Sequence, residues 1–390
     1  MMTLSDVELL KSDELRRAVD ANIERDPAAV ALDGRVPEAR LVATQVKYLQ
    51  RARRKLPRLY EARCIIPPRA FEQSSSEESA RRKGIAGDSL LDLTCGLGID
   101  VLAFASRFRR VVALERDEVL AEVVRHNLSL LGVENVEVIT TSAEEYVATT
   151  SNHFDWVFAD PDRRSDTGHK MVCLEDCSPN IVTLLPRLRT IARRIGLKLS
   201  PLFDVEEAFR LFPSSEVEVV SVAGECKELN IYTNADNERL TIAATGLGTW
   251  HFEREAMNVK PTAEAFAAEE YRYLLIPDVA LQKARVAIAT LSPHAAIWSN
   301  NGYAFARELP AEPLPARIYA IESIERYHPR ELRRKYRGLG IEVLKRDTQL
   351  SVEVVRKALG ARAGGDRLLA VTSIAGENWI IELRNEVING

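Results

Sequence analysis

A glycine-rich turn follows an apolar segment in the first third of the sequence. Leu90–Thr94 is predicted to be a strand, and it leads into Cys95-Gly96-Leu97-Gly98, after which a helical pattern begins. Glycines allow a tight turn and a close approach of the backbone to a ligand. The N–H groups exposed at the start of a helix favour a polar or negatively charged ligand group. Because a Gly-x-Gly pair alone is a weak signal, the surrounding residues decide its interpretation.

An acidic residue ends the next apolar segment, about 20 residues beyond the glycines. Glu115 follows Val111–Leu114, and an acid at the tip of the second strand can accept both ribose hydroxyls of a nucleoside cofactor. A charge-assisted hydrogen bond of this kind contributes about 1.5–3 kcal/mol. The alternative is that Glu115 is a solvated acid and that Asp117, two residues further, caps the next helix. A dinucleotide site would require a third glycine where the sequence has Val101, which disfavours a nicotinamide cofactor.

A second group of polar residues follows the apolar run that contains Trp156–Ala159. Here Asp160-Pro161-Asp162-Arg163-Arg164 comes directly after the strand, at the ligand-binding edge of a parallel sheet. An arginine plane can stack on a base or bind phosphate. The alternative is a turn that ends the strand and carries a solvated charge cluster.

These residues must be positioned by a parallel sheet, because short apolar strands alternate with helices from Ser89 onward. Repeated strand–helix units form a parallel sheet with helices on both faces. A helix is predicted over Asp117–Leu131, between the second and third strands. The predicted strands are Leu90–Thr94, Val111–Leu114, Val136–Thr140, Trp156–Ala159 and Leu197–Leu199, followed by an antiparallel hairpin of Val217–Val222 and Leu229–Thr233.

The flanking segments follow other patterns. Residues 1–85 are predicted to form a helical segment, with one helix over Ala39–Lys55 that ends before Pro57. Residues 86–238 hold the sheet, and residues 239–390 mix strands and helices in an α+β domain. In that domain the predicted strands are Arg317–Glu322, Ile341–Leu344, Leu368–Thr372 and Trp379–Leu383, and the predicted helices lie near residues 262–275, 278–290 and 351–359.

The pattern Asp92-x-x-x-Gly96-x-Gly98, with Glu115 after the second strand, resembles the motifs of class I S-adenosylmethionine-dependent methyltransferases. The resemblance implies a Rossmann-like sheet and S-adenosylmethionine as the cofactor, with Glu115 on its ribose. Asp100 would reach the methionine end, although a helix cap is its alternative role, and Glu144 suits a helix dipole as well as an adenine contact. The implied cofactor residues are Asp92, Thr94, Gly96, Gly98, Asp100, Glu115, Ala143 and Glu144.

The pair Asp160-Pro161 resembles the Asp/Asn-Pro-Pro-aromatic motif of N-directed methyltransferases. In that family the acid and a neighbouring carbonyl orient an amine towards the methyl group, which is catalysis by positioning. The resemblance implies catalytic roles for Asp160, Pro161 and Asp162. Here Asp162 replaces the second proline and Arg163 replaces the aromatic residue, which weakens the case for a base amine as the target. The residues expected to contact substrate are Gln73, Arg163 and Arg164.

A cysteine nucleophile, as in carbon-5 methylation of pyrimidines, is not expected. No Pro-Cys pair follows Ala159, and Cys95 suits a small apolar filler of the glycine turn.

Further segments resemble a bacterial group of methyltransferases that has a THUMP-like C-terminal domain. The resemblance covers most of the chain, and because THUMP domains belong to RNA-modifying enzymes it implies RNA as the substrate, by analogy. The segments that carry it are Gln73–Glu77, Asp160–Arg164, Lys198–Pro201, Glu225–Glu228, Ile276–Asp278 and the region Leu339–Leu383.

Local charge supports RNA contact, whereas the net charge of −4 gives no overall attraction to phosphate. Lys47–Arg58 contains six basic residues and no acid. Ile324–Arg337 contains six basic residues against two acids, interleaved with Tyr327, His328 and Tyr336. Basic residues beside aromatic ones suit backbone contact with base stacking. The alternative, and the commoner role of such runs, is a solvated helix face.

The composition excludes several classes of protein. Among the 390 residues, 46% are hydrophobic and 28% are charged, which excludes a disordered chain. The apolar runs are too short to span a membrane, and the acidic, amphipathic start lacks the layout of a signal peptide. Five widely spaced cysteines argue against a disulfide framework and favour the cytoplasm. His169, Cys173 and Cys177 lack the spacing of a zinc site, so no metal is expected.

The sequence leaves the choice between tRNA and rRNA, and the oligomeric state, undetermined. We expect a methyltransferase that acts on RNA by direct transfer, with Asp160-Pro161 positioning the nucleophile. One alternative is a non-catalytic RNA-binding module that retains the fold, which the altered residues after Pro161 favour. Another is a methyltransferase for a protein or small molecule. A nicotinamide-dependent dehydrogenase ranks third because of Val101.

Overall fold

The computed structural model describes residues 2–163, 174–234, 236–261 and 265–388, with the side chain of Arg163 left out. These residues form two compact units. The first unit runs to Leu199 and includes Tyr232–Asn234, and the second holds the rest of the described chain. The helical segment therefore belongs to the same unit as the central sheet. The boundaries expected near residues 85 and 238 stay a prediction.

The first unit begins with α-helices, as predicted for residues 1–85. The long helix spans Ala39–Lys55, as predicted. Its apolar residues Val42, Val46 and Leu49 are buried on one face. Thr3 caps the first helix through a reciprocal capping box with Asp6. The helices are α1 (Leu4–Lys11), α2 (Asp13–Asn22), α3 (Pro27–Leu32), α4 (Ala39–Lys55), α5 (Pro57–Glu61), α6 (Pro68–Gln73) and α7 (Glu77–Arg82).

Strands and helices then alternate, as predicted. The five longer strands are parallel and lie in the order β7-β4-β1-β2-β3. The strand order reverses between β1 and β4, and ligands of open α/β sheets bind at the carboxyl ends of the strands at such a point. The elements are β1 (Gly87–Asp92), α8 (Ile99–Ala105), β2 (Phe108–Glu115), α9 (Glu118–Leu130), β3 (Val136–Thr140), α10 (Ala143–Thr149), β4 (Phe154–Ala159), β5 (Asp162–Arg163), β6 (Cys177–Ser178), α11 (Ile181–Ile191) and β7 (Ala192–Leu199).

The helical segment and the sheet share one hydrophobic core. Val7 of α1 and Leu49 of α4 lie in the same buried cluster as Leu90 of β1 and Val111 of β2. The link is also polar, because Asn127 of α9 brackets the peptide groups of Ile65: its Oδ1 accepts from the Ile65 N–H at 2.9 Å, and its Nδ2 donates to the Ile65 carbonyl at 2.9 Å. The segment is therefore packed as part of the first unit.

The second unit begins with α12 (Val205–Leu211) and the predicted hairpin. β8 (Ser215–Val222) and β9 (Glu225–Thr233) are neighbours joined by Ala223-Gly224. Both joining residues have positive φ, of 52° and 79°, as a type I′ turn requires. β10 (Arg239–Ala244) pairs in parallel with β8, and β11 (Gly248–Glu253) pairs antiparallel with β10.

The C-terminal part of this unit is an eight-stranded mixed sheet in the order β13-β14-β12-β15-β19-β18-β16-β17. Along β18, Leu368 and Ala370 enter one buried cluster, whereas Leu369 and Val371 enter another, so both faces of the sheet are covered. The elements are β12 (Tyr273–Pro277), α13 (Val279–Lys283), α14 (Ala287–Leu291), β13 (Ala296–Ile297), β14 (Ala304–Ala306), β15 (Ala316–Arg326), α15 (Pro329–Tyr336), β16 (Gly340–Lys345), α16 (Val352–Leu359), β17 (Arg362–Ala363), β18 (Arg367–Ile374) and β19 (Glu377–Val387).

The predicted α+β architecture is confirmed here, but two helix predictions are wrong. Near residues 262–275 the described chain has a short 3-10 turn at Ala268–Glu270 and then β12, whose apolar residues are buried between β14 and β15. The helix predicted near 278–290 is two helices, because Arg285 between them has a left-handed φ of 57°. Within the described residues, no helix is long and apolar enough to cross a membrane.

The bracket around Ile65 generates a stability prediction. Asn127→Ala leaves the buried N–H and carbonyl of Ile65 without partners, so we expect a loss of about 2–4 kcal/mol in the free energy of unfolding. Urea unfolding of the purified chain measures it. The matched control is Asn152→Ala at an exposed position, which should change stability by less than about 0.5 kcal/mol. An Asn127→Ala variant as stable as the wild type would contradict the bracket.

Candidate active site

The predicted glycine turn lies at the carboxyl end of β1. Gly96 and Gly98 adopt left-handed φ values of 55° and 78°. A Cβ at Gly98 would lie 3.1 Å from the Cγ1 of Val124, so a side chain there would also crowd α9. A Cβ at Gly96 would meet only the Thr94 carbonyl, at 3.9 Å. The turn therefore requires glycine at both positions, and beyond its two chain neighbours no side chain of the described residues lies within 4 Å of the place that a Cβ of Gly96 would take.

Glu115 faces this turn from the end of β2. Its Oε2 accepts a hydrogen bond from the Gly96 N–H at 2.9 Å, and its Oε1 accepts from the Asp117 N–H at 2.9 Å. Burial raises the pKa of Glu115, and the two N–H groups act in the opposite direction. Each carboxylate oxygen has two lone pairs, so both oxygens keep acceptor capacity for a ligand.

Asp92 is the most deeply buried acid of the site, with 1% of its surface exposed. Its Oδ1 accepts from the Thr94 N–H at 2.8 Å. Burial raises its pKa to about 7, and the nearby charges of Asp100 and Asp160 act in the same direction. The hydroxyl of Thr94 also accepts from the Asp160 N–H at 2.7 Å, which ties the ends of β1 and β4 together.

The helical segment contributes to the same site. The ammonium group of Lys83, which is fully buried, forms an ion pair with Asp100 at the start of α8. The Ser75 hydroxyl donates to the other oxygen of Asp100 at 3.2 Å. Gln73 donates from Nε2 to Asp162 Oδ2 at 3.4 Å, so these two predicted residues meet.

Asp160 forms an ion pair with Lys198 of β7. Burial raises the pKa of Asp160 and Lys198 acts against it, while 34% of the side chain stays exposed. The two lysines Lys83 and Lys198 offset two of the four acids, which are Asp92, Asp100, Glu115 and Asp160. A surplus of negative charge remains, which suits a ligand that carries positive charge.

The other predicted residues lie around this edge. Ala143 is buried and Glu144 is exposed in the first turn of α10, directly after the segment in which the Thr141 N–H donates to the Glu115 carbonyl at 3.1 Å. Pro161 follows Asp160 at the end of β4. Arg163 pairs through its backbone with Cys177, and Arg164 lies outside the described residues.

Sequence reasoning missed Lys83 and Lys198. Lys83 ends a run of three basic residues at the end of α7, and nothing in the local pattern distinguishes a buried lysine from a solvated one. Lys198 occurs in a segment that the resemblance singled out, and a basic residue near the carboxyl end of a buried strand is a signal that could have found it.

Three of the described thiols, those of Cys64, Cys95 and Cys226, are poor nucleophiles. Burial raises the pKa of Cys64 to about 12 and that of Cys226 to about 11, and it raises the pKa of Cys95 as well. A thiol in this state carries little thiolate at neutral pH. Within the described residues, no group of three or more His, Cys, Asp or Glu side chains could hold a metal ion, and His169 and Cys173 lie outside them.

The two basic segments are partly neutralised. In α4, Arg51 pairs with Glu72 and Arg53 pairs with Glu24. In the C-terminal unit, Tyr336 is buried and donates its hydroxyl hydrogen to Glu382, so the expectation that it stacks on a base is wrong. Other exposed basic residues of these segments form no ion pair within the described residues: Lys47, Arg54 and Arg58 in the first segment, and Arg330, Arg333, Arg334 and Arg337 in the second.

A parallel sheet in this order, with a glycine turn and acids along its carboxyl edge, defines the class I methyltransferase fold. The sequence matches a family model described as Conserved hypothetical protein 95 over residues 71–174, and a THUMP domain-like model over residues 316–385. A crystal structure from Porphyromonas gingivalis W83, described as a methyltransferase, has the same fold: its TM-score is 0.80 at 24% identity, over 95% of this chain and 97% of that chain.

Relatives agree with this class. A Mycobacterium tuberculosis H37Rv protein, Rv3037c, described as an uncharacterised S-adenosylmethionine-dependent methyltransferase, is 26% identical over 331 residues, which cover 81% of this chain and 86% of that protein. A tRNA/tmRNA (uracil-C(5))-methyltransferase from Shewanella pealeana is 29% identical over 145 residues, or 31% of this chain and 39% of that protein. The predicted class, an S-adenosylmethionine-dependent methyltransferase with a THUMP-like C-terminal domain, is confirmed.

The burial of Asp92 generates a prediction on pH. Its folded pKa of about 7 lies above its ordinary value of 3.8, so the folded chain loses stability as the pH rises between these values. Asp92→Asn removes that loss and keeps an oxygen acceptor for Thr94. We expect the variant to gain little at pH 4 and more than about 1 kcal/mol at pH 8, without cofactor.

Urea unfolding at several pH values measures this difference. The control is Asp88→Asn, which removes an exposed acid at the other end of β1. A constant difference between Asp92→Asn and the wild type from pH 4 to pH 8 would show that Asp92 is not the buried, titrating acid.

Proposed function

We propose that this S-adenosylmethionine-dependent methyltransferase acts on RNA, and that the carboxyl edge of its central sheet is the site of methyl transfer. The observation that carries the proposal is the meeting of Glu115 with the Gly96 turn, next to the acids at the ends of β1 and β4. The donor set fits the cofactor, because a carboxylate with spare acceptor capacity suits ribose hydroxyls and the surplus negative charge suits a sulfonium and an ammonium group.

When bound, S-adenosylmethionine supplies a methyl group on a positively charged sulfur. Glu115 would hold the ribose, Asp92 and Asp100 would hold the methionine end, and Ala143 with Glu144 would flank the adenine. Asp160, with the carbonyl of Pro161, would accept hydrogen bonds from the nucleophile and orient it. Lys198 would keep the Asp160 carboxylate charged and in place.

RNA is supported by three observations. The THUMP-like match covers residues 316–385, and one group of relatives is named for tRNA and tmRNA. α15 presents exposed arginines on one side, while its apolar residues Leu332 and Tyr336 are buried. The cysteines described above do not support the carbon-5 chemistry of those relatives, so we propose a direct transfer without a covalent enzyme intermediate. Gln73, Asp162, Arg163 and Arg164 would contact the RNA.

The ion pair between Asp160 and Lys198 favours one alternative, a non-catalytic RNA-binding protein with this fold. An aspartate that stays paired with lysine has less capacity to accept a hydrogen bond from a substrate. The alternative predicts RNA binding with a steep salt dependence and no methyl incorporation.

Glu115→Gln tests the cofactor site. The amide replaces one acceptor oxygen with a donor, so we expect S-adenosylmethionine to bind about 10- to 100-fold more weakly, with the fold retained. Isothermal titration calorimetry measures the affinity, and circular dichroism checks the fold. Glu118→Gln, three residues further at an exposed position of α9, should bind like the wild type. An unchanged titration for Glu115→Gln would refute the ribose assignment.

Asp160→Asn tests the transfer step. We expect the variant to bind S-adenosylmethionine like the wild type, within about threefold, and to lose methyl transfer by about 100-fold or more, because the positioning of the nucleophile is lost. The measurement is incorporation of label from S-adenosylmethionine into total RNA of a strain that lacks the protein, followed by mapping of the labelled nucleoside.

Asp88→Asn is the control for this assay as well. If Asp160→Asn keeps wild-type turnover, the chemistry lies elsewhere. If the wild type binds RNA but labels none, the non-catalytic alternative is correct, and label in protein or small molecules alone would identify another substrate class.

A further inference from the structure

Six buried side-chain polar atoms of the second unit have no hydrogen-bond partner among the described residues, and two of them belong to neighbouring residues. Tyr303, directly before β14, is 2% exposed, and its hydroxyl has no hydrogen-bond partner among the described residues. Arg346, directly after β16, has a buried Nη1 that also has no partner among them. The two are neighbours, because the Arg346 guanidinium carbon lies 5.9 Å from the centroid of the Tyr303 ring. Nearly all buried polar groups in folded proteins are hydrogen-bonded, so two adjacent exceptions require an explanation.

A second arginine lies near this pair, on the strand beside β12, where it is the register partner of Ile276. Arg317 is an exposed residue of β15 whose charge acts on both Tyr303 and Arg346. No ion pair to either arginine occurs within the described part of the chain. Two guanidinium groups in proximity repel each other, and burial lowers the pKa of Arg346, with Arg317 acting in the same direction. Burial raises the pKa of Tyr303, so its hydroxyl keeps its proton and can donate it.

The carboxylate of Asp278 acts on the pKa of Arg346, but it forms no ion pair with Arg346 or Arg317. Asp278 already accepts from the Ser221 hydroxyl at 2.6 Å and from the Ala280 N–H at 2.8 Å, both through Oδ1, where it caps α13. The remaining groups of the cluster can all donate: the Tyr303 hydroxyl, which can also accept, and two guanidinium groups, which can only donate. They lack an acceptor with several oxygens and negative charge.

We propose that Tyr303, Arg317 and Arg346 form a binding site for one phosphate group of the RNA. A guanidinium group presents its N–H donors in a planar fork that matches phosphate oxygens, and its charge strengthens each bond. A phosphate group has enough oxygen acceptors for the hydroxyl and for both guanidinium groups. The assignment to RNA rests on the proposed function, whereas binding of a phosphate ion does not. Arg317 and Arg346 lie in the THUMP-like match, and Tyr303 precedes it.

Inorganic phosphate is the first probe. Titration of the full chain by calorimetry, at constant ionic strength and with S-adenosylhomocysteine saturating the cofactor site, should show one saturable phosphate site in the wild type. Arg317→Met and Arg346→Met should each weaken it about tenfold or more, because each removes a charge-assisted contact. Arg239→Met, at an exposed arginine that begins β10, should leave it unchanged. No saturable binding above that of chloride, or equal binding in all variants, would overturn the site.

Tyr303→Phe separates a ligand contact from a structural role. The variant loses only a buried hydroxyl without a partner, so we expect unchanged or higher thermal stability without phosphate. We also expect phosphate affinity to fall several-fold. Wild-type phosphate affinity in Tyr303→Phe would remove the tyrosine from the site. A loss of stability would show that the hydroxyl bonds to ordered water instead.

Total cellular RNA is the second probe. Arg317→Met, which is exposed and should fold normally, should bind RNA more weakly than the wild type. Its slope of log affinity against log salt should fall by about 1, as expected for the loss of one phosphate contact. Equal RNA affinity and slope would overturn the assignment to RNA even if phosphate binding is lost. If the phosphate site is present but RNA is never labelled, the proposed methylation fails and the anion site stands.

Discussion

The site depends on a concentration of negative charge at one edge of the central sheet. Parallel strands direct their carboxyl ends to the same edge, so Asp92, Glu115 and Asp160 come together, and Asp100 begins the helix after the glycine turn. Burying several carboxyls in one place costs folding free energy, which the raised pKa of Asp92 reflects. Lys83 and Lys198 offset part of the charge. The negative charge that remains can attract a positively charged cofactor.

This arrangement explains why the helical segment is part of the first unit. Its helices share a core with the sheet, and its last residues reach the site itself. Lys83 is buried against Asp100 and near the ring of Phe158, where it lies 5.8 Å from the ring centroid. Ser75 donates a hydrogen bond to the other oxygen of Asp100. A sheet without the segment would therefore retain the acids but lose Lys83, one of the two cations that balance them.

In the second unit, some buried polar groups are fully paired and others have no partner among the described residues. Tyr327 and Tyr336, which the sequence interleaves with arginines, both pack in one hydrophobic cluster, so the exposed side of α15 carries its arginines. Glu382 is buried and paired with Lys335 and Arg367, and these contacts lower its pKa against the effect of burial. In contrast, Tyr303 and Arg346 have buried donors without partners among the described residues. Glu382 thus has two cationic partners, whereas these adjacent donors have none in the part of the chain that the structure describes. Adjacent buried donors of this kind suit a ligand that supplies acceptors.

Local patterns in the sequence determined much of this. The helix over Ala39–Lys55, the glycine turn at Gly96 and the acid that ends β2 each follow from the spacing of a few adjacent residues, and parallel strands then place Glu115 beside the turn. Only the tertiary structure decided which distant residues meet: Lys83 with Asp100, Lys198 with Asp160, and Arg346 with Tyr303. The same holds for β12, which is buried between two neighbouring strands, and for Tyr336 of α15, which is buried in a hydrophobic cluster. Periodicity and turn chemistry are properties of adjacent residues, whereas burial and ion pairing depend on what the rest of the fold brings to a position.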